Sequence, residues 1–208
     1  MSGIVCQNIE KLKQNKRFFL YYNSNALHNP FLQSSKYMTV EKQYDSKLKN
    51  AANLLDKSLD SIFNYLANTK ILDNTIIIMN GDHGESDKDL HKPNRLVSYY
   101  DEIQKVPMII LLPKVIADKV GSQTRENANS LIGNADILPT ILDLLNVNSN
   151  PKNINITKDL LGKSLIKPIE ENRYQVSLNT NDIRQWEREG FGIFFKNSRF
   201  LFTDLEVS

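Results

Sequence analysis

The sequence predicts an α/β sandwich with a mostly parallel sheet and a small antiparallel part at its C-terminal end. Short, continuously apolar segments occur at residues 75–79 and 106–112, and such segments are typical of strands buried on both faces of a parallel sheet. Helical patterns alternate with predicted strands up to about Leu145, and the remainder is rich in strands. We therefore expect residues 1–150 to form the main part of one domain and residues 151–208 to form its strand-rich extension.

The first third of the chain is predicted to contain a strand, a polar loop and a long helix. Residues 17–22 are a short aromatic run, RFFLYY, which predicts a buried strand. The loop after it contains His28 and Pro30. Within residues 44–66, apolar residues recur at spacings of three and four, which indicates an amphipathic helix of several turns. Its apolar face is formed by Leu48, Ala51, Ala52, Leu55, Leu59, Ile62, Phe63 and Leu66.

The most informative stretch follows at residues 75–85. Its apolar run ends abruptly at Gly81, Asp82, His83 and Gly84. Ligand sites of open α/β sheets lie just beyond the carboxyl ends of the strands, so Asp82 and His83 lie where a metal or a substrate would be bound. The glycines allow a sharp turn and keep bulk away from the two side chains. The alternative is a turn that caps the next helix, which is the role of most isolated Asp-His pairs.

The middle of the chain is predicted to contain a loop, a strand and a helix. Residues 84–99 form a long polar loop close to the Asp-His pair. Residues 106–112 form the next buried strand, which ends at Pro113. A helix begins near residue 134, with Asp136 as its N-cap. Its apolar face is formed by Ile141, Leu144 and Leu145.

Three strands are predicted in the C-terminal extension. One strand covers residues 174–178. Residues 191–195 and 199–202 form a hairpin around the polar turn at 196–198. Such a hairpin is antiparallel, which distinguishes this part of the chain from the predicted parallel sheet.

Composition excludes several classes of function. The 208 residues can bury a real core, and 40% hydrophobic with 24% charged residues is ordinary for a globular protein. A net charge of +2 without a basic stripe gives no support to a nucleic-acid partner. The lone Cys6 excludes an internal disulfide. No apolar stretch is long enough to span a bilayer, and we expect no signal peptide in the lysine-rich N-terminus.

Three segments in this order resemble the sulfatase family: Gly81-Asp82-His83-Gly84-Glu85, the YDEIQKVP segment at residues 100–107 and the ADILPTI segment at residues 135–141. The upstream stretch FFLYYNSNALHNPF at residues 18–31, which includes His28-Asn29-Pro30-Phe31, also matches the family. The sulfatase family belongs to the alkaline-phosphatase-like superfamily, with phosphoethanolamine transferases and lipoteichoic acid synthases as relatives. The resemblance implies a three-layer α/β/α sandwich, of which this chain forms a part.

The resemblance also implies roles for particular residues. Asp82 and His83 match the family's metal-binding pair, which implies a divalent cation, with Ca²⁺ as the first choice and Mn²⁺, Mg²⁺ or Zn²⁺ as alternatives. His28 matches a substrate-contacting histidine, and the alternative is a loop histidine bonded to local backbone. His91 and Lys92 are placed to donate hydrogen bonds to a leaving-group oxygen or to the anion, and the alternative is a solvated loop.

The chain departs from the family pattern near its N-terminus. The family's nucleophile and first metal-binding acids follow its first strand, and Cys6 has no Pro or Arg in register to match them. The chain therefore resembles only the C-terminal half to two-thirds of the family's catalytic domain. We expect the 208 residues alone to be inactive, and to be poorly soluble unless a partner or an N-terminal segment completes the fold.

Three functions are consistent with these residues. The first is a sulfatase-like hydrolase that cleaves a sulfate ester with a divalent cation. The second is a phosphoethanolamine or phosphoglycerol transferase that acts on a phosphate ester. The third is an inactive sulfatase-like binding module. Sulfatases are commonly lysosomal, secreted or periplasmic, so the resemblance implies an export route that this chain does not itself indicate.

Overall fold

The computed structural model describes residues 2–15, 17–28, 46–84, 101–147, 158–179, 190–195 and 198–203. These residues fall into two compact units, one up to Ile76 and one from Ile77 onward. None of the helices among them combines the length and hydropathy that crossing a bilayer requires. The domain boundary predicted at residue 150 lies outside the described residues.

The first unit is built on two helices that pack against each other, α1 (Ser2–Leu12) and α2 (Lys47–Asn68). The predicted helix at residues 44–66 is confirmed, apart from its first two residues, which lie outside the described part. Ser46 caps α2, since its side chain accepts a hydrogen bond from the Lys49 N–H at 3.2 Å. A short 3₁₀ turn, Leu72–Asn74, follows α2. The buried apolar residues of the two helices are Val5, Ile9, Ala51 and Leu66.

Residues 17–22 do not form the buried strand that their composition predicts. They have no regular secondary structure, and the side chains of Phe19 and Tyr21 are 76% and 77% exposed. Aromatic residues favour a strand only where a neighbouring strand and a packed face are available. The described part of the chain contains no strand that pairs with this run, and the prediction was therefore wrong.

The second unit begins with a two-stranded antiparallel sheet. Strand β1 (Ile77–Asn80) pairs with β2 (Met108–Leu111), with Ile77 opposite Leu111. Both strands were predicted, but β2 is not buried on both faces, because Ile109 and Leu111 are 46% and 39% exposed. The described residues thus show an α/β arrangement with antiparallel pairing, and a mostly parallel sheet is not seen among them.

Three helices of the second unit lie before or after β2 along the chain. The single-turn helix α3 (Asp101–Gln104) precedes β2, and α4 (Lys114–Glu126) follows it directly. Helix α5 (Ile137–Leu144) was predicted, and it buries Pro139 and Thr140. Two short 3₁₀ turns, Asn127–Asn129 and Asn134–Asp136, lie between α4 and α5.

A three-stranded antiparallel sheet forms the C-terminal part, as predicted. Its strands are β3 (Tyr174–Asn179), β4 (Gly190–Phe195) and β5 (Ser198–Thr203), in the order β3-β4-β5. Phe195 pairs with Ser198, which places the hairpin turn at the predicted position. One face of this sheet consists of large apolar side chains that are 38–71% exposed, which we call the exposed apolar face: Tyr174, Val176, Leu178, Phe191, Phe195, Phe200 and Phe202.

Candidate metal site

The turn at Gly81–Gly84 directly follows β1 and carries the Asp-His pair. Backbone hydrogen bonds hold it at both ends, because the Gly81 N–H donates to the Pro107 carbonyl at 3.2 Å and the Gly84 N–H donates to the Ile103 carbonyl at 2.7 Å. Both acceptors belong to the segment that leads into β2. The turn is therefore held by the segment that leads into β2, and its conformation does not depend on its own sequence alone.

Gly84 is required by close packing against α3. A Cβ atom at this position would lie 1.8 Å from the carbonyl oxygen of Glu102, which no side chain can tolerate. No glycine among the described residues has a positive φ, so a left-handed backbone is not the reason for this glycine. The structure therefore gives Gly84 a reason that was not predicted, namely contact between two backbone segments, and the predicted role of keeping bulk away from the Asp82 and His83 side chains stays a prediction.

The imidazole of His83 is oriented by its own neighbour. Nδ1 lies 2.7 Å from the carbonyl oxygen of Gly84. A carbonyl can only accept, so the proton lies on Nδ1 and the lone pair of the neutral ring lies on Nε2. Metal-binding histidines commonly donate their second ring N–H to a carbonyl in this way. The tautomer of His83 is therefore the one that presents Nε2 to a cation.

The Asp82 carboxylate lies beside this nitrogen. Its Oδ1 accepts the His83 N–H at 3.0 Å, and its Oδ2 lies 3.8 Å from His83 Nε2. The Asp82 side chain is 90% exposed and that of His83 is 38% exposed. Because ligand bonds to divalent cations are about 2.0–2.6 Å long, one cation can contact both atoms across 3.8 Å.

The pair fits part of a cation site. Within the described residues, no third His, Cys, Asp or Glu joins it to form a cluster. Ca²⁺ takes about six to eight oxygen ligands and Zn²⁺ usually about four ligands, so two side chains are not a complete coordination shell for either ion. Asp82 and His83 could hold a divalent cation only together with further ligands, such as carbonyl oxygens or water.

The side chain of Asn134 is hydrogen-bonded to the backbone of the Gly81–Gly84 turn. Its Nδ2 donates to the carbonyl oxygens of Gly81, at 2.9 Å, and of Asp82, at 3.2 Å. Asn80 donates to the same Gly81 oxygen at 3.1 Å. No local sequence pattern indicates this role of Asn134, because the residues it contacts are more than 50 positions away in the chain.

Asp136 is a buried partner of Arg173. Its side chain does not make the capping hydrogen bond to α5 that an N-cap residue usually makes. It is fully buried, and its two oxygens accept from Arg173 at 2.5 and 2.9 Å. They also accept from the N–H groups of Gly133, at 2.9 Å, and Lys163, at 2.7 Å. These donors occupy the carboxylate, so the predicted N-cap position of Asp136 is confirmed, whereas its side chain makes no capping hydrogen bond to α5.

Helix α3, which contacts Gly84, is tied to the C-terminal sheet. Its first residue, Asp101, forms ion pairs with Arg199 of β5 and with Lys105, the latter at 2.9 Å. The hydrogen bond from Lys105, with the nearby charge of Arg199, holds the pKa of Asp101 below its ordinary value. The carboxylate therefore stays ionised at neutral pH and keeps both partners.

The described structure does not test the roles of the other predicted site residues. His28 is exposed in the first unit, where its N–H donates to the Asn25 carbonyl at 3.2 Å, while Asp82 belongs to the second unit. His91 and Lys92 lie outside the described residues. Their roles stay predictions.

Comparisons with known proteins point in one direction. The family model described as Sulfatase matches residues 3–147. An N-acetylglucosamine-6-O-sulfatase of Bacteroides thetaiotaomicron is 31% identical over 158 residues, which cover 73% of this chain and 24% of that protein. Arylsulfatase K of Gallus gallus is 29% identical over 53% of this chain and 18% of that protein. Lipoteichoic acid synthase 2 of Bacillus subtilis is 33% identical over 48% of this chain and 15% of that protein. The chain thus spans about a quarter or less of these relatives.

Proposed function

This chain belongs to the sulfatase family of the alkaline-phosphatase-like superfamily, and we propose that it supplies the Asp82–His83 half of the cation site of a sulfatase-like hydrolase. The orientation of His83 carries this proposal. Its Nδ1–H is bound to the Gly84 carbonyl and its Nε2 lies 3.8 Å from an Asp82 oxygen. A turn that only capped a helix would not need this arrangement of two ligand atoms.

A divalent cation would supply charge stabilisation to the ester that is cleaved. The sulfatase family uses such a cation, which polarises sulfate oxygens and stabilises the developing negative charge. We propose Ca²⁺ as the first choice because the Asp82 carboxylate is a hard oxygen ligand, with Mn²⁺, Mg²⁺ and Zn²⁺ as alternatives that accept an imidazole to different degrees.

The rest of the catalytic machinery is assigned from the family resemblance alone. We propose that His28 contacts the substrate anion and that His91 and Lys92 donate hydrogen bonds to the anion or to the leaving group. The nucleophile and further acids would come from a segment or partner that completes the three-layer sandwich. The substrate is a sulfate ester in this proposal.

A transferase of the same superfamily is the second candidate. The match to lipoteichoic acid synthase 2, at 33% identity over 107 residues, favours it. The same cation and the same anion-binding groups can serve either a sulfate or a phosphate ester. The two candidates differ in the nucleophile that the resemblance implies, a modified cysteine in sulfatases and Thr or Ser in transferases.

Cation titration tests the proposal. Calorimetric titration of the 208-residue chain with Ca²⁺ and with Mn²⁺ is expected to show binding that falls by about tenfold or more in Asp82→Ala and in His83→Ala. Asp118→Ala is the matched control, because Asp118 is an exposed carboxylate of the same unit whose partner is Lys114. Equal affinity in all four proteins would refute the cation site and would favour a binding module that retains only the fold.

A further inference from the structure

We infer that Asn134 is a positioning residue for the Asp82–His83 pair, an inference that rests on the function proposed above. Its single side-chain amide donates to two successive carbonyls, that of Gly81 at 2.9 Å and that of Asp82 at 3.2 Å. These contacts assign it a role in the geometry of the turn, since its amide protons reach the backbone oxygens of the turn.

The two carbonyls lie on either side of the Asp82 Cα atom. Each belongs to a planar peptide unit, so holding both oxygens restricts φ and ψ of Asp82. The direction of the Asp82 side chain follows from those two angles. The second peptide unit also contains the His83 N–H, which donates to Asp82 Oδ1 at 3.0 Å. Asn134 thus constrains the backbone from which both ligand side chains project.

Asn134 can do this because its own turn is anchored on the buried side. Two residues further on, Asp136 is fully buried and binds Arg173, the Gly133 N–H and the Lys163 N–H. Asn134 is exposed on the opposite side of the same 3₁₀ turn, Asn134–Asp136. A rigid base with one projecting amide is an arrangement that preorganises a site at little conformational cost.

The contact requires a donor with two protons. Leucine has nearly the shape of asparagine but donates nothing, so Asn134→Leu removes both hydrogen bonds and leaves the volume in place. Asn134→Ala removes the bonds and the volume together. Because Asn134 is exposed, neither change is expected to shift the melting temperature of the cation-free chain appreciably.

The test combines cation affinity with the backbone signals of the turn. Cation dissociation constants of the full chain are expected to rise about tenfold in Asn134→Leu and Asn134→Ala, with unchanged melting temperatures. Asn129→Ala, which alters another exposed asparagine of the same unit, is expected to bind like the parent chain. In ¹⁵N-labelled protein without cation, Asn134→Leu should shift the amide signals of Asp82 and His83.

The outcomes separate this inference from the proposed function. If Asp82→Ala abolishes binding but the Asn134 variants bind like the parent chain, the inference is overturned and the cation site stands. If the parent chain binds neither Ca²⁺ nor Mn²⁺, the proposed function fails. The positioning role of Asn134 is then tested only by the amide signals of Asp82 and His83. Unchanged signals of Asp82 and His83 in Asn134→Leu then overturn it.

Discussion

Asp136 is a buried residue that accepts several hydrogen bonds in the turn that carries Asn134. Its carboxylate receives hydrogen bonds from Arg173 and from two backbone N–H groups, and it is fully buried. A buried ion pair adds little net stability compared with apolar residues of similar volume, because both ions lose their hydration. Removing one partner is costly, since the other charge stays buried without compensation.

We therefore expect Asp136→Ala to lower the free energy of unfolding by about 3–5 kcal/mol. Urea denaturation followed by circular dichroism measures this change. Asp118→Ala removes an exposed carboxylate whose partner is Lys114, and it should cost no more than about 1 kcal/mol. A loss of less than about 1 kcal/mol in Asp136→Ala would show that Arg173 does not depend on this carboxylate.

Residues with local signals could be predicted from the sequence, and residues whose contacts are distant in the chain could not. Asp82 and His83 were predicted because a strand followed by Gly-Asp-His-Gly is visible within a few positions. The contacts of Asn134 and Arg173 were not predicted because their partners lie 53 and 37 residues away. A short-range rule predicted the N-cap position of Asp136 correctly, but it could not predict the ion pair with Arg173 that its side chain forms.

At the scale of elements, α1 and α2 are joined by a hydrogen bond between Tyr65 and Glu10. The Glu10 carboxylate raises the pKa of Tyr65 to about 12, mainly because it accepts the phenolic proton. The pKa of Glu10 is lowered in turn, first by its hydrogen bond from Lys13 and then by Tyr65. The contact therefore requires a protonated phenol and an ionised carboxylate.

The sign of the pH dependence follows from the raised pKa of Tyr65. Folding favours the protonated phenol, so the contact stabilises fully below the ordinary tyrosine pKa of 10.0 and is lost as pH rises through about 12. Alkaline titration of tyrosinate absorbance should show one late-titrating group among the eight tyrosines. Tyr65→Phe should remove it and Tyr21→Phe should not. A late component that persists in Tyr65→Phe would contradict the assignment.

Helices and strands whose apolar residues recur at a regular spacing were predicted well. Helix α2 and the hairpin of β4 and β5 have clear spacing patterns and turn signals. Residues 17–22 have strand propensity, but a strand also needs a partner, which local sequence cannot specify. Helix α4 was missed because its sequence, KVIADKVGSQTRE, is polar and contains an internal glycine.

At the scale of the whole molecule, the described residues expose many large apolar side chains. The exposed apolar face and the aromatic run at residues 17–22 present large side chains to solvent. Contiguous patches of this kind favour association. The chain spans 15–24% of the N-acetylglucosamine-6-O-sulfatase, the arylsulfatase K and the lipoteichoic acid synthase that it matches; that a further segment or partner completes the fold stays a prediction.

We expect the isolated chain to associate through this surface. Sedimentation should show species larger than a monomer, and the double substitution Leu178→Ser with Phe200→Ser should raise the monomer fraction. Val115→Ser, at a residue that is 70% exposed on α4, serves as the control. A parent chain that is monomeric and has high thermal stability would contradict the expectation.

The overall architecture could be predicted only in part. Alternation of helices and strands gave the α/β class, which membership in the sulfatase family supports. Strand pairing could not be obtained in the same way, since β1 and β2 pair across 34 residues between Ile77 and Leu111 in an antiparallel register. Parallel and antiparallel strands can have the same apolar pattern. The relative direction of two strands depends on how the chain connects them, which the apolar pattern does not show.

The turn that carries Asp82 is held by residues that are synthesised long after it. Arg173 secures Asp136 in the turn that presents Asn134, and Arg199 pairs with the first residue of α3. At about 5–20 residues per second, a ribosome needs on the order of ten seconds to advance from Asp82 to Arg199. The nascent chain therefore presents Asp82 and His83 before the contacts that hold their turn can form.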